Sequence, residues 1–211
     1  MTSARQLWDI SAPVHHASPT YPGDSPFRLA WNLRLDEGEL VNLSTVTMSP
    51  HVGTHADAPL HYDAQGLPMG AVDLQTYLGP CRVIHAIGCA PLITWEHMAH
   101  AISTPMPPRV LVRTYKNQPA QWDPYFAGFA PEAVAQLADH GVKLIGIDTP
   151  SVDPFSSHNL QCHCLVRDRD LRILESLVLD DVPEGDYELI ALPLKWTQAD
   201  ASPIRAVLRA L

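Results

Sequence analysis

The chain has 211 residues, 46% of them hydrophobic and 18% charged, which is enough apolar material for one ordinary core and is unlike a disordered tail. Its 14 Lys plus Arg stand against 23 Asp plus Glu, a net charge of −9, and this excludes a broad polyanion-binding surface, since phosphate contacts are made by basic side chains. Twenty prolines against eleven glycines imply stiff turns and short elements, against a coiled coil or helical bundle and toward a mixed fold.

The opening stretch from Met1 to Asp9 has no apolar run of signal-peptide length, and no later stretch reaches the about 18 apolar residues of a membrane span, so a cytoplasmic protein is expected. Gln6 to Ile10 and Leu40 to Met48 read as strands, the second with Val41, Leu43 and Thr45 alternating with Asn42 and Ser44. Cys81 to Ile87, Arg109 to Tyr115, Lys143 to Ile147, Tyr187 to Leu192 and Ile204 to Leu208 are apolar, β-branched-rich runs between turn signals, and read as further strands. Thr94 to Ile102 reads as a helix capped by its threonine. A second helix starts at Ala130-Pro131-Glu132, with proline near its first position, and stops at Gly141. Asp168 to Leu177 reads as a third. Strands interleaved with few helices give a mixed α/β class, and with no repeat or linker the chain reads as one domain, 1–211.

Four cysteines stand at 81, 89, 162 and 164 without C-x-x-C spacing, and read as packed thiols. In Cys162-His163-Cys164 the two thiols are one residue apart, poorly placed to hold one ion together.

The informative stretch runs from Pro50 to His61 and concentrates His51, His55, His61 and Asp57, three of the chain's eleven histidines and a carboxylate. Pro50, Gly53 and Pro59 argue against a helix, so the segment reads as a loop leaving a strand. A turn at Gly53 brings the first two imidazoles round one point, and the i, i+2 relation of His55 and Asp57 in extended backbone points both side chains the same way. Two imidazoles and a carboxylate suit zinc, iron or manganese. They include no thiolate and leave room for water, as a catalytic rather than a structural site does. The chain has no G-x-S-x-G elbow, P-loop or G-x-G-x-x-G, so serine hydrolase, nucleotide hydrolase and dinucleotide chemistry drop out.

The segment His51-x-Gly-Thr-His55-x-Asp57-Ala-Pro-x-His61 resembles that of the metal-dependent cyclase-like hydrolases. Leu7-Trp-Asp-Ile-Ser, Tyr21-Pro-Gly-Asp24, Leu78-Gly-Pro-Cys-Arg-Val-Ile84, Gly146-Ile-Asp-Thr-Pro-Ser151, Asp186 to Lys195 and Ala201 to Val207 extend the resemblance, over nearly the whole chain, to the bacterial kynurenine formamidase branch. The resemblance implies a swivelling β/β/α fold, a homodimer, and two divalent ions per subunit, zinc in the first instance with manganese as the other choice. It also implies hydrolysis of N-formyl-L-kynurenine to L-kynurenine and formate in tryptophan degradation. Carried over by position, His51, His55 and Asp57 hold the first metal, with Asp57 reaching the second; His163 and Glu175, twelve residues apart, complete the site, with Glu175 bridging; His61 is the acid/base residue; and Tyr21 contacts substrate. The branch often has tryptophan where Tyr21 stands, so the pocket implied here differs in shape. Two other readings remain: another amide or cyclic-amide hydrolase on the same metal site, and a catalytically silent metal-binding protein.

Overall fold

The computed structural model describes residues 5–103 and 105–211; residues 1–4 of the opening stretch lie outside them. Thirteen strands follow one another among the described residues: β1 (Leu7–Asp9), β2 (Arg28–Leu33), β3 (Leu43–Thr47), β4 (His55–Asp57), β5 (Leu78–His85), β6 (Leu92–Ile93), β7 (Arg109–Arg113), β8 (Gly128–Phe129), β9 (Leu144–Ile147), β10 (Arg172–Glu175), β11 (Gly185–Ile190), β12 (Ala201–Pro203) and β13 (Val207–Ala210). Helices are short: α1 (Pro59–Tyr62), α2 (Trp95–Met98), α3 (Pro131–Asp139) and α4 (Gln161–Asp168).

Nine strands form one sheet in the order β1-β13-β11-β5-β7-β9-β10-β4-β12. Its centre, β5, β7, β9 and β10, is parallel, and the flanking pairs are antiparallel. The central strands are apolar on both faces, as parallel strands covered on both sides must be. Val110, Val112, Ile145, Ile147 and Ile173 join a core under the helices with Phe129, Val134, Leu137 and Val166. The intervening Leu111, Leu144 and Leu174 join a second core on the other face. That second core also takes Leu189 and Leu208 from one flank of the sheet and Ala56 and Ala58 from the other, so the sheet curls round it. The closure is stitched by Ile10, whose N–H donates to Ala206 and whose carbonyl accepts from Val178 (both 3.0 Å). After β9, the buried Asp148 carboxylate accepts from the Thr114 N–H and hydroxyl (2.7 Å each) and the Tyr115 N–H (2.9 Å), tying the ends of two central strands together.

The mixed α/β class is what the composition and periodicity imply. The helix expected over Asp168 to Leu177 is corrected: Asp168 ends α4, and Arg172–Glu175 is strand β10. Its Ile173 and Leu174 fill opposite cores, the two-sided burial that hides the period-2 signal. The run Ile204 to Leu208 is not one strand either; it spans the gap between β12 and β13. In the β2–β3 hairpin, every residue of β3 is exposed, so the alternation read over Leu40 to Met48 does not mark a buried face in the monomer.

Candidate metal centre

The Pro50–His61 stretch is a turn, a strand and a helical turn in succession. Ser49 starts the turn by accepting from the His51 N–H on its hydroxyl (3.2 Å) and from the Val52 N–H on its carbonyl (3.2 Å). Gly53 follows with φ +71°, where a Cβ would lie 2.7 Å from Val14 Cγ2, so the site needs glycine for both conformation and room. Thr54 then anchors the chain, donating to the Ser176 carbonyl (2.5 Å) and accepting from the Ala12 N–H (2.8 Å). The expected loop is thus corrected in part: His55–Asp57 is β4, held between β10 and β12 by antiparallel pairing on both sides.

Strand geometry sets the donors. His55 and Asp57, two apart, share a face, and the register places Glu175 directly opposite His55. The His55 Nδ1–H donates to the Gly53 carbonyl (2.9 Å), leaving Nε2 3.3 Å from both Asp57 Oδ1 and Glu175 Oε2. His51 Nδ1 lies 3.2 Å from the same Asp57 oxygen. His163 arrives from α4, with Nε2 3.7 Å from Asp57 Oδ2 and 3.9 Å from Glu175 Oε1. Its other nitrogen donates to Asp153 (2.6 Å), whose carboxylate also accepts from the Cys162 and His163 N–H groups at the start of that helix. Glu175 is fixed in turn by the Val152 N–H (2.8 Å). His61 sits in α1, which opens at Pro59; its ring is 4.4 Å from that of His51 and 5.7 Å from that of His163.

All six expected His, Asp and Glu side chains therefore converge. Two groupings bring ligand atoms within 4.8 Å of one another, His51, Asp57 and His61, and His55, Asp57 and Glu175, with Asp57 common to both. Asp57 is completely buried, yet among the described residues neither of its oxygens receives a hydrogen bond, and His55 Nε2 lacks one as well. A buried carboxylate left without donors is costly, and His55 Nε2 stands 3.3 Å from both Asp57 Oδ1 and Glu175 Oε2, a cluster of ligand atoms that a divalent cation would satisfy. The donor set, imidazole and carboxylate without thiolate, suits such an ion with open positions.

Electrostatics agree. Burial opposes protonation of His55 and His163, but the neighbouring carboxylates, Asp57 and Glu175 for the first and Asp153 and Asp57 for the second, outweigh it and push each imidazole up to about 10. Burial likewise raises the Asp57 carboxyl, and the imidazoles around it overcome that and hold it well below the usual carboxylate range. The centre is thus strongly cation-attracting, whether the cation is a proton or a metal.

Tyr21 stands apart from the donors. Nearly half exposed, it packs edge-on against Trp122 (5.2 Å) and Phe155 (5.7 Å), which meet each other at 5.6 Å. Phe155 belongs to the segment that carries Asp153, so this aromatic cluster is tied to the centre through His163's partner. Beside the donors an open cavity of about 240 Å³ is lined by His61, Tyr62, His158, Asn159, Leu160, His163 and Cys164. Cys162 is buried, with its thiol donating to the Phe129 carbonyl (3.1 Å), as ordinary packing requires.

Sequence reasoning did not find Asp153, Asp200, Trp122 or Phe155. Asp200, next to the Ala201 to Val207 stretch, touches two of the histidines: its Oδ2 is 3.0 Å from His51 Nε2 and 3.3 Å from His61 Nδ1.

The model of the Cyclase family, described as "Putative cyclase", matches residues 8–154. The kynurenine formamidase of Delftia acidovorans is 61% identical over 98% of this chain and 99% of its own. That of Paracidovorax citrulli is 59% identical over 99% of each. Among solved structures, a protein from Bacillus stearothermophilus described as a predicted metal-dependent hydrolase is 28% identical and superposes with a TM-score of 0.84 over 98% of this chain and 99% of that one. The chain belongs to the Cyclase family, on its kynurenine formamidase branch.

Proposed function

We propose that this chain is a cytoplasmic, homodimeric, metal-dependent arylformamidase that hydrolyses N-formyl-L-kynurenine to L-kynurenine and formate in tryptophan degradation, as one catalytic unit over residues 1–211. The observation that carries this reading is the donor-less, fully buried Asp57 at the meeting point of four imidazoles and Glu175, in a chain about three-fifths identical to kynurenine formamidases. His51, His55, Asp57, His163 and Glu175 would hold two divalent ions, zinc by preference or manganese. Asp57, common to both ligand groupings, and Glu175 would supply the negative charge that two such ions need.

Formamide hydrolysis needs a nucleophile stronger than neutral water and a proton for a poor nitrogen leaving group. A bound divalent ion supplies Lewis-acid polarisation and lowers the pKa of water from 15.7 to about 7. The protein's own part is positional. Asp153 fixes the His163 ring through Nδ1, and Gly53 fixes that of His55 in the same way, so each presents Nε2 to the centre. His61 is the most exposed of the converging imidazoles, its side chain one-third accessible on the open cavity. It is therefore placed to take a proton from the attacking water and return it to the departing anilide nitrogen. Tyr21, with Trp122 and Phe155, offers an aromatic wall for the substrate's aryl ring.

Free cysteines fit a reducing compartment. The β2–β3 hairpin supports the dimer: Trp31, Leu35, Leu40, Val41, Leu43 and Val46 are each at least half exposed, an apolar load that a second copy of the chain would cover. Turnover of N-formyl-L-kynurenine by the metal-loaded protein, against a panel of other amides and lactones, tests the function. Hydrolysis of another amide with no formylkynurenine turnover would overturn it. Sedimentation tests the dimer.

A further inference from the structure

Asp200 is separated from His61 by 139 residues and from His51 by 149, yet one of its carboxylate oxygens reaches both rings. Sheet register explains how it gets there. Ala201 pairs with Asp57 across β12 and β4, and the Asp200 carbonyl accepts from the Ala58 N–H (2.8 Å), so residue 200 is fixed beside the start of α1. The backbone thus does the structural work. The side chain is 44% exposed and fills no core; a surface aspartate is ordinarily solvated, and nothing in the packing requires Oδ2 to stand between two imidazoles.

We infer that Asp200 is a positioning residue for His61, accepting its Nδ1–H so that the ring is held at the rim of the metal centre with Nε2 unprotonated and available to the reacting atoms. The inference rests on the acid/base reading of His61. The chemistry follows from the imidazole itself. In the neutral ring one nitrogen is a donor and the other an acceptor, and the partner of the first decides which is which. Without a carboxylate on Nδ1, both tautomers and several ring rotations are open, because α1 is a single turn and His61 is partly exposed. With it, the base nitrogen is fixed, and the imidazolium formed when that nitrogen takes a proton is stabilised by an adjacent negative charge, the relation an orienting aspartate bears to a catalytic histidine. The same oxygen lies on His51, so a competing role is to steady a metal ligand. The two roles predict different measurements.

The test uses the metal-loaded full chain, with Asp200→Ala, Asp200→Asn, His61→Ala and the Asp200→Ala/His61→Ala double variant, on N-formyl-L-kynurenine. The expected result is a fall in kcat of about 10–100-fold for Asp200→Ala, with KM and metal content within twofold of the parent, and a double variant no slower than His61→Ala alone. Side-chain ¹⁵N spectra, with His61 assigned by its loss in His61→Ala, should show the Nδ1–H tautomer in the parent and a mixture in both Asp200 variants. Loss of metal from Asp200→Ala with activity restored by excess ion, or penalties that multiply in the double variant, or an unchanged His61 tautomer, would each overturn the proposal. The spectra need no substrate. An inactive parent with the expected tautomer shift would therefore count against the substrate reading and leave the positioning role standing.

Discussion

Glu175 and His55 stand directly opposite each other on neighbouring antiparallel strands, and their side chains meet 3.3 Å apart on the face that also carries Asp57. A glutamate at that register position is a reach across a ladder, the shortest route by which a sheet can place an acid beside an imidazole. Glu175→Gln keeps the shape and the Val152 contact but removes the charge. It should lower bound metal by more than one ion per chain equivalent, while His163→Ala should cost chiefly one. Metal analysis of the folded variants checks both, and full stoichiometry in both would remove these residues from the centre.

Turnover should vanish on chelation and return with zinc or manganese. The donor set includes Asp57, buried and without a hydrogen bond among the described residues, which a bound cation would satisfy. Full activity in a rigorously metal-free sample would refute the hydrolase mechanism.

His61→Ala should lose about 10²–10⁴-fold in kcat while retaining its metal, the usual contribution of a positioned acid/base. The penalty should shrink on a formate ester of a good leaving phenol, which departs without a proton. Equal impairment on both substrates, or loss of an ion, would make His61 a ligand, as its grouping with His51 and Asp57 would allow.

Tyr21→Ala should raise KM more than it lowers kcat, since the ring offers binding area and no reacting group. Trp122 and Phe155, packed on the same ring, should behave alike. Kinetics matching the parent would mean that Tyr21 does not touch substrate.

Asp148 offers a pH test away from the metal donors. Burial pushes its carboxyl up to about 6, against the three donors that oppose the shift. The unfolded value is about 3.9, so between about pH 4 and 6 the native state binds more protons than the unfolded chain, and this group's contribution to stability falls as pH rises. The loss is on the order of 1–3 kcal/mol. Urea unfolding of the parent and Asp148→Asn across that range should show a difference whose slope has this sign, the metal donors being common to both. Parallel curves would contradict it.

How far the sequence reveals this molecule depends on where each residue's signal lies. His55 and Asp57 were legible because an i, i+2 pair in extended backbone shares a face, and β4 is extended. His163 and Glu175 were found only through resemblance. One lies in a helix and the other in a strand that reads as helix because both its faces are buried, and local pattern carries no information about the pairing of Glu175 with His55 across 120 residues. Asp200 and Asp153 escaped for the same reason: each is an ordinary loop aspartate until register and helix start bring it to an imidazole. The short helix α1 was hidden by Pro59, which argues against a helix ending there and in favour of one beginning.

The placement of β4 between β10 and β12 has a consequence for how the protein is made. Its neighbours are the strand that carries Glu175, the α4 histidine and the strand at 201–203, so the stretch from His51 to His61 leaves the ribosome long before any of its partners. A nascent chain of even 190 residues would expose four histidines and an aspartate with no strand to lie against on the outer side. The residues that would hold the metal are all made by Glu175, whereas β4 gains its outer strand only with residues 201–203, so the edge of the sheet beside the centre closes after its ligands are in place.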